Sequence, residues 1–362
     1  MKKTFEGKTI LVTGACGSVG SELIFQLLND GQYKPNEVIG LDNNESQLFF
    51  LDQQYLDEDR ARFYVLDIKD LDELTKKMMG VDIVFHCAAL KHVILCERSP
   101  EQAIMTNIGG VKNVIAAAID CGVEKVIFTS SDKAVNPTNV MGTSKLMGER
   151  LITAANSNTK GAGPIFSSTR FGNVMGSNGS VIPIFRNQIA SGGKITLTHR
   201  DMTRFVMSIE ESVKLVIDSA FLAKGGEVFI TKMPVVRIED LAKAMILELA
   251  PTYGRKPEDI EIVEVGMKPG EKLYEELMSL EETRRAVELE NYFSVLPAFR
   301  GIYRNIDYSY PDILSDLVTN PYVSSVESSL SVAEIRGMLN DFGLINPKPK
   351  AKLTSRYWPG DK

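Results

Sequence analysis

Thr13-Gly14-Ala15-Cys16-Gly17-Ser18-Val19-Gly20 closes a short β-rich apolar run, Lys8–Thr13. It opens a pattern in which Leu23, Ile24, Leu27 and Leu28 share one face of a helix over Ser21–Asp30. The spacing is G-x-x-G-x-x-G. Glycines at these places permit a tight turn and let a pyrophosphate approach the backbone. The helix that follows offers free N–H groups and a partial positive charge. A glycine triplet alone says little, but one at a strand-to-helix junction points to a bound dinucleotide, with Gly14, Cys16, Gly17, Ser18, Val19 and Gly20 around it.

Outward from this turn, two periods alternate. Glu37–Asp42, Phe63–Asp67, Val81–Ala88 and Lys125–Ser130 read as strands, and their continuous apolar runs suit burial on both faces. Helical patterns lie between them, among them Pro100–Cys121 and Met141–Ala155. This alternation predicts an α/β protein, a Rossmann-type doubly wound parallel sheet with right-handed crossovers. The second half reads as a strand at Ile165–Phe171, a glycine-rich loop at Asn173–Gly179 and helices at Val181–Ala190 and Glu210–Ala223. A strand at Glu227–Thr231, a helix at Ile238–Leu249, a strand at Ile260–Val265 and helices at Glu271–Leu280 and Val332–Phe342 follow. The expected division is a dinucleotide domain over 1–175, with 206–231 returning to it. A smaller, mostly C-terminal α/β substrate domain takes 176–205 and 232–300, and 301–362 is a C-terminal extension.

Composition narrows the function. With 362 residues, 44% of them hydrophobic, the chain can bury more than one core. A net charge of −6 argues against nucleic-acid or lipid partners, so a charged substrate must be met by local arginines, lysines or helix ends. Four cysteines without a CxxC pair, beside three histidines, argue against a metal site and a disulfide framework. The apolar run Thr9–Val12 is too short for a signal peptide, and no run of about 18 apolar residues predicts a membrane span. A cytoplasmic address is expected.

Asp42 ends the second strand about twenty residues after the turn. A carboxylate there accepts hydrogen bonds from the adenosine ribose and repels a 2′-phosphate. Asn43, Asn44 and Glu45 follow, with no arginine, so NAD is favoured over NADP. Asp67, with Ile68 beside it, is a candidate adenine contact; a surface-loop aspartate is the alternative.

Thr129-Ser130-Ser131-Asp132-Lys133 ends the fifth strand, on the side where open α/β sheets bind ligands. Met141 and Lys145 then share a helix face. The strings SSDKAVNPTNVMGTSK from Ser130, HCAALKHV from His86, RFGNVMGSNGSVIP from Arg170, DMTRFVMS from Asp201 and KPGEKLYEEL from Lys268 occur in one chain. Together they resemble the extended short-chain dehydrogenases/reductases and, within them, the CapD-type polysaccharide-biosynthesis dehydratases. The resemblance covers roughly Lys8–Glu282. It implies an NAD-retaining lyase that makes a 4-keto-6-deoxy sugar from UDP-N-acetylglucosamine or a related nucleotide for surface-polysaccharide or glycan biosynthesis, working as a homodimer or higher homo-oligomer. By the same resemblance Ala88, Ala89 and Lys91 line the cofactor, Asn107 positions the active-site lysine, and Lys145 holds the nicotinamide ribose. The resemblance also implies that Lys91, His92, Asn173, Val181, Thr196, Thr198, Arg204, Lys268 and Glu271 face the sugar nucleotide. Met141 stands where the wider family has a catalytic tyrosine, as in one branch of the dehydratases.

The chemistry can be argued from the residues. Water loss across C5–C6 of a hexose requires C4 to become a ketone first, because the ketone acidifies the C5 hydrogen. A base then removes that proton while an acid protonates the departing 6-hydroxyl, and hydride returns to C6. Lys133 is the expected base and Asp132 the acid; a surface ion pair is the alternative. A lysine base near neutral pH needs its pKa lowered, by burial or by a neighbouring charge such as Lys145. Ser131 can relay the 4-hydroxyl proton towards Lys145, and the sequence leaves that step open. A 4-epimerase, which returns hydride to C4 and needs no acid at C6, remains a second reading, as does a GDP-linked substrate. A silent cofactor- or sugar-nucleotide-binding protein is the reading that the missing tyrosine suggests.

Overall fold

The computed structural model describes residues 3–157, 163–177, 181–267, 270–299 and 306–345. The predicted runs become parallel strands β1 (Thr9–Thr13), β2 (Glu37–Asp42), β3 (Ala61–Val65), β4 (Ile83–His86), β5 (Lys125–Ser131) and β6 (Ile165–Phe171), in the order β3-β2-β1-β4-β5-β6. Val228–Thr231 adds a parallel strand beside β6. Strand residues alternate sides, and each side has its own core. Ile10 and Val12 of β1 face Leu23, Ile24 and Leu27 of helix α1 (Ser18–Asn29) and Val213, Val216 and Ile217 of the Ile209–Leu222 helix. Leu11 points the other way, into a cluster with Val84, Val114, Val126, Phe128 and Ile152. Helices on both faces of a largely parallel sheet make this a Rossmann-type α/β fold.

Several predicted elements differ. Beyond Val228–Thr231 the sheet continues through Tyr292–Val295, Ala286–Leu289 and Ile313–Ser315, all joined antiparallel. Segments assigned to the substrate domain and to the extension therefore belong to the main sheet. Strands this short carry too little alternation to be read, yet they cover an edge that would otherwise stay unpaired. A second core gathers Ile182, Phe185 and Ile189 of the Val181–Ser191 helix with Leu241, Met245 and Leu249 of the Ile238–Leu249 helix. Ile335 and Leu339 of the Val332–Asp341 helix complete it, so the C-terminal segment closes this core instead of forming a separate extension. The predicted Pro100–Cys121 helix is interrupted by a π-helical turn at Ile104–Gly109. The loop after β6 contains a two-residue strand, Asn173–Val174, paired with Thr203–Met207. The predicted helix over Glu271–Leu280 is instead a strand, Glu276–Met278, bonded to Tyr322–Val323. A four-residue helix then starts at Leu280 behind a Ser279–Glu282 capping box.

Arg170 in β6 ties this corner together. Fully buried, it lies 2.6 Å from Glu149 and 3.1 Å from Glu282 and donates to the Leu277 carbonyl at 2.7 Å. Arg170→Met leaves two buried carboxylates without a cation. The expected cost is about 3–5 kcal/mol, read as a melting temperature roughly 10 °C lower at neutral pH. Burial alone would raise Glu282, but Arg170 overrides it and holds this carboxyl at about 2 rather than the usual 4.5. A depressed carboxylate contributes stability above its unfolded pKa and loses it as pH falls through the folded value. The wild-type melting temperature should therefore drop between about pH 4.5 and 2, and Arg170→Met should lack that part of the slope.

Candidate active site

The turn between β1 and α1 is as tight as its glycines require. Gly14 has φ +71°, and a Cβ there would sit 2.7 Å from the Ala88 nitrogen; a Cβ on Gly20 would sit 2.1 Å from the Gly14 carbonyl oxygen. Gly17 is the N-cap of α1, and no side chain caps it, so the first N–H groups of the helix remain open to an anion. Half-buried Asp42 accepts from the Cys16 N–H and the Asn44 N–H, both at 2.9 Å, which aims its carboxylate along the turn. Asn43 donates to Asp67 at 3.3 Å. Burial works against the Asp67 charge, but the Lys69 backbone and ammonium and Asn43 together hold its carboxyl below the usual range. Ile68 beside it is buried, while Val19 packs on the α1 side of the sheet. A cavity of about 320 Å³ opens beside the turn, between Cys16, Ser18 and Gln47 on one side and Met175, Ser208 and Phe342 on the other.

The loop after β4 lies against this turn. The Ala88 N–H meets the Thr13 hydroxyl at 3.3 Å, and half-buried Ala89 follows. Asn107, in the π-helical turn, accepts from the Leu90 N–H at 2.8 Å and donates to the Leu90 carbonyl and to the Ser144 hydroxyl. It thereby clamps the 88–90 loop to the Val140–Ala155 helix, which carries Lys145. Lys145 Nζ donates to the Thr129 carbonyl at 3.0 Å and lies 4.6 Å above the Phe128 ring. Burial, opposed by Cys87 and Glu149, lowers its pKa to about 8. Met141 is buried with Cys96 and Ala103, a packing position.

Asp132 and Lys133 emerge at the end of β5 in a one-turn 3₁₀ helix. Asp132, its side chain 1% exposed, accepts from the Ser131 hydroxyl at 2.6 Å, the Lys133 N–H at 2.9 Å and Lys133 Nζ at 3.1 Å. Lys133 Nζ also reaches the Asn173 side-chain Oδ1 at 3.5 Å and Glu275 Oε1 at 3.6 Å. In the resting site Lys133 is not acid-shifted. Burial pulls its pKa down, but Asp132 and Glu275 more than compensate and hold it raised, so the resting lysine is an ammonium. Of Lys133 and Lys145, the one with the lowered value is Lys145.

Glu275 is the charged neighbour of the Asp132–Lys133 pair to which the sequence did not point. It reaches the site because the 270–276 segment is tied to the loop after Asp132. Thr138 and Asn139 donate to the Gly270 carbonyl, Lys272 to that of Val135, and Asn136 to Glu276. Arg204 is committed to protein. Its guanidinium donates to the carbonyls of Thr203, Lys272 and Leu273 and lies 3.5 Å from Glu275, so it braces this segment instead of standing open to a phosphate. The remaining predicted substrate residues are not gathered by these contacts. Exposed Lys91 and His92 lead into the Val93–Arg98 helix. Val181 packs on the second core, Thr196 bonds Gln188 and Thr198 bonds the Met202 sulfur. Glu271 is half-buried next to Gly270, and Lys268 lies outside the described residues.

Comparison with known proteins places this geometry among sugar-nucleotide enzymes. The family described as polysaccharide biosynthesis protein matches residues 10–297. A protein of Methanocaldococcus jannaschii named only as an uncharacterised membrane protein is 52% identical over 81% of this chain and 87% of its own length. A UDP-N-acetylglucosamine 4,6-dehydratase (inverting) of Campylobacter jejuni is 39% identical over 84% of this chain and 87% of its own. A UDP-glucose 4-epimerase of Rickettsia rickettsii is likewise 39% identical, over 80% and 83%. The X-ray structure of Pen from Bacillus thuringiensis is similar with a TM-score of 0.84 and 40% identity, covering 93% of this chain and 98% of that one. Among the described residues no helix is long and apolar enough to cross a membrane.

Proposed function

The chain belongs to the polysaccharide biosynthesis protein family, and from that premise we propose that it is an NAD-dependent nucleotide-sugar 4,6-dehydratase. The substrate we assign is a UDP-N-acetylhexosamine, UDP-N-acetylglucosamine first, lying against the Asp132–Lys133 pair beyond β5, and the setting is cytoplasmic glycan or surface-polysaccharide synthesis. The observation that carries this reading is the Asp132–Lys133 pair, a buried carboxylate 3.1 Å from a partly exposed amine beyond β5. An epimerase needs no acid for C6, whereas a dehydratase needs an acid and a base side by side.

The residues present suit NAD. The uncapped N-terminus of α1 fits a pyrophosphate, Gly14 and Gly20 let the turn close where a Cβ would collide with the Ala88 and Gly14 backbone, and the oriented Asp42 carboxylate fits unphosphorylated ribose hydroxyls. When bound, the nicotinamide supplies the acceptor for the C4 hydride and its return to C6. The protein's part is proton handling. The resting pair is Asp132 carboxylate and Lys133 ammonium; the working pair is Asp132 carboxylic acid and Lys133 amine. Both hold the same number of protons, so conversion is a shift along an existing hydrogen bond, favoured when the sugar excludes water from two facing charges. The amine then takes the C5 proton and the acid protonates the leaving 6-hydroxyl. Ser131, bonded to Asp132, and Lys145 are the groups we assign to the 4-hydroxyl and the nicotinamide ribose. Exposed Ile94, Leu95, Ile104, Met105 and Met147 give the 93–109 segment and the adjoining helix an apolar face suited to a second copy of the chain.

Incubation with NAD and UDP-N-acetylglucosamine should give a product lighter by one water, seen by mass spectrometry. The Rickettsia relative motivates the second reading, a 4-epimerase, which predicts a product of unchanged mass. GDP-N-acetylglucosamine in parallel tests the nucleotide. No product from any sugar, with the cofactor bound, would leave a binding protein.

A further inference from the structure

The ammonium of Lys133 is faced by two carboxylates, and the assigned chemistry uses only one. Asp132 holds it from its own turn at 3.1 Å. Glu275 holds it from the 270–276 segment, with Oε1 3.6 Å from Lys133 Nζ and 3.5 Å from Arg204 Nε. The Glu275 side chain is 4% exposed, and its Oε2 is buried with no hydrogen-bond partner among the described residues. A buried carboxylate oxygen left idle is costly, and such groups concentrate where function demands them. The brace is rigid. Arg204 is pinned by the Thr203, Lys272 and Leu273 carbonyls, and Ser324 donates its hydroxyl to nothing on Glu275 but receives the Glu275 backbone N–H at 2.9 Å.

We propose that Glu275 is a positioning residue of the elimination, the fixed negative charge that keeps Lys133 aimed once Asp132 has taken its proton. The inference rests on the dehydratase reading. In the first half-step a proton passes from Lys133 Nζ to an Asp132 oxygen, and the attraction between that pair vanishes. In the second, the Nζ lone pair takes the C5 proton, the C5–H electrons form the enolate of the C4 ketone, and the C6–O bond breaks as Asp132 gives its proton to the hydroxyl. Water leaves, Lys133 is again an ammonium and Asp132 again a carboxylate. Through the interval when Asp132 is neutral, Glu275 alone faces the charge growing on Nζ. Preorganised charge aimed at a developing charge is the largest electrostatic lever a site has. The titratable groups that face Glu275 are Lys133, Asp132, Arg204 and Lys272. Burial and Asp132 raise its pKa while Lys133, Arg204 and Lys272 oppose them.

The test is Glu275→Gln in the full chain loaded with NAD. Water elimination should slow about 10–100-fold at neutral pH. The alkaline limb of its pH profile, set by loss of the last proton from the Asp132–Lys133 pair, should move about one unit to lower pH, because a negative charge beside the lysine is gone. The isotope effect with C5-deuterated substrate should rise, since C5–H cleavage becomes slower than the other steps. Loss of a merely structural contact would lower the rate and leave limb and isotope effect as in wild type, which overturns the proposal. If Glu275→Gln does not fold, Glu275→Asp serves. Its retracted charge should shift the limb by less and still raise the isotope effect, and an unchanged value of both would refute the assignment. A wild type that eliminates no water sinks the dehydratase reading itself; a wild type that does so, with an unmoved limb in the variants, sinks the Glu275 inference alone.

Discussion

Lys133→Met is expected to stop water loss while leaving oxidation at C4 intact. Lys133 Nζ is bonded to Asp132 and close to Asn173 and Glu275, on the loop beyond β5. Lys145 Nζ is bonded to Thr129 and stacked over Phe128, on a different element. Two amines with separate partners should serve separate steps. Removing the base of a proton-abstraction step should cost about 10²–10⁴-fold in product formation. Stopped-flow absorbance should show one equivalent of reduced nicotinamide formed on mixing with the sugar and then persisting, while mass spectrometry finds almost no dehydrated product. The Lys133 side chain is 27% exposed, so Met fills its place without a cavity, although Asp132 loses its cation and Glu275 keeps Arg204. A melting curve run alongside separates that destabilisation from the loss of chemistry. Near-wild-type water loss from this variant would remove Lys133 from the mechanism.

How the site was read from sequence follows the period of each segment. Elements with a long run in one period, β1, β2, β6 and the Ile238–Leu249 helix, stand within a residue or so of where the pattern puts them. Ser131, Asp132 and Lys133 follow from position alone, since they end a central parallel strand. Glu275 escaped because Glu271–Leu280 was read as a helix, on which Glu271, Glu275 and Glu276 form an acidic outer face. As an extended segment it alternates instead, with Glu275 and Leu277 turned inward and Tyr274 outward. Gly270, at φ +80°, and the capping box at Ser279 bracket the segment, and its Glu276–Met278 stretch is held extended by pairing with Tyr322–Val323. For Arg204 the sequence leaves the partner open. A basic residue in a loop motif looks equally suited to a phosphate or to carbonyls, and only the fold brings Lys272 and Leu273 up to it. The protonation of Lys133 depends on the same fold, because the second carboxylate that raises it is 142 positions along the chain.

Lys145→Met is expected to abolish oxidation at C4 and yet leave the protein as stable as wild type at neutral pH, or more so. Lys145 is buried, and burial drags its pKa from 10.5 to about 8. The direction matters for stability. A lysine whose folded value lies below its unfolded value is held charged at a cost below the folded pKa, and that cost fades as pH rises towards the unfolded one. A difference of this size is on the order of 3 kcal/mol. Wild-type stability should therefore climb between about pH 8 and 10.5 by this contribution, and Lys145→Met, which has no charge to bury, should lack the climb. Against this gain stand the loss of one donor to the Thr129 carbonyl, about 1 kcal/mol, and of the ammonium's contact with the Phe128 ring, about 1 kcal/mol more. Catalysis should respond in the opposite sense. With no cation on this face of the Val140–Ala155 helix and Met141 already in place of a proton-carrying side chain, the sugar hydroxyl and the ribose lose their shared anchor. Reduced nicotinamide should then fail to form, at least about 10²-fold more slowly than in wild type. Melting curves at pH 7 and 10, read beside the absorbance trace, check both halves. A variant that still oxidises the sugar, or that melts well below wild type at pH 7, would mean that the chain keeps this strained lysine for packing and not for chemistry.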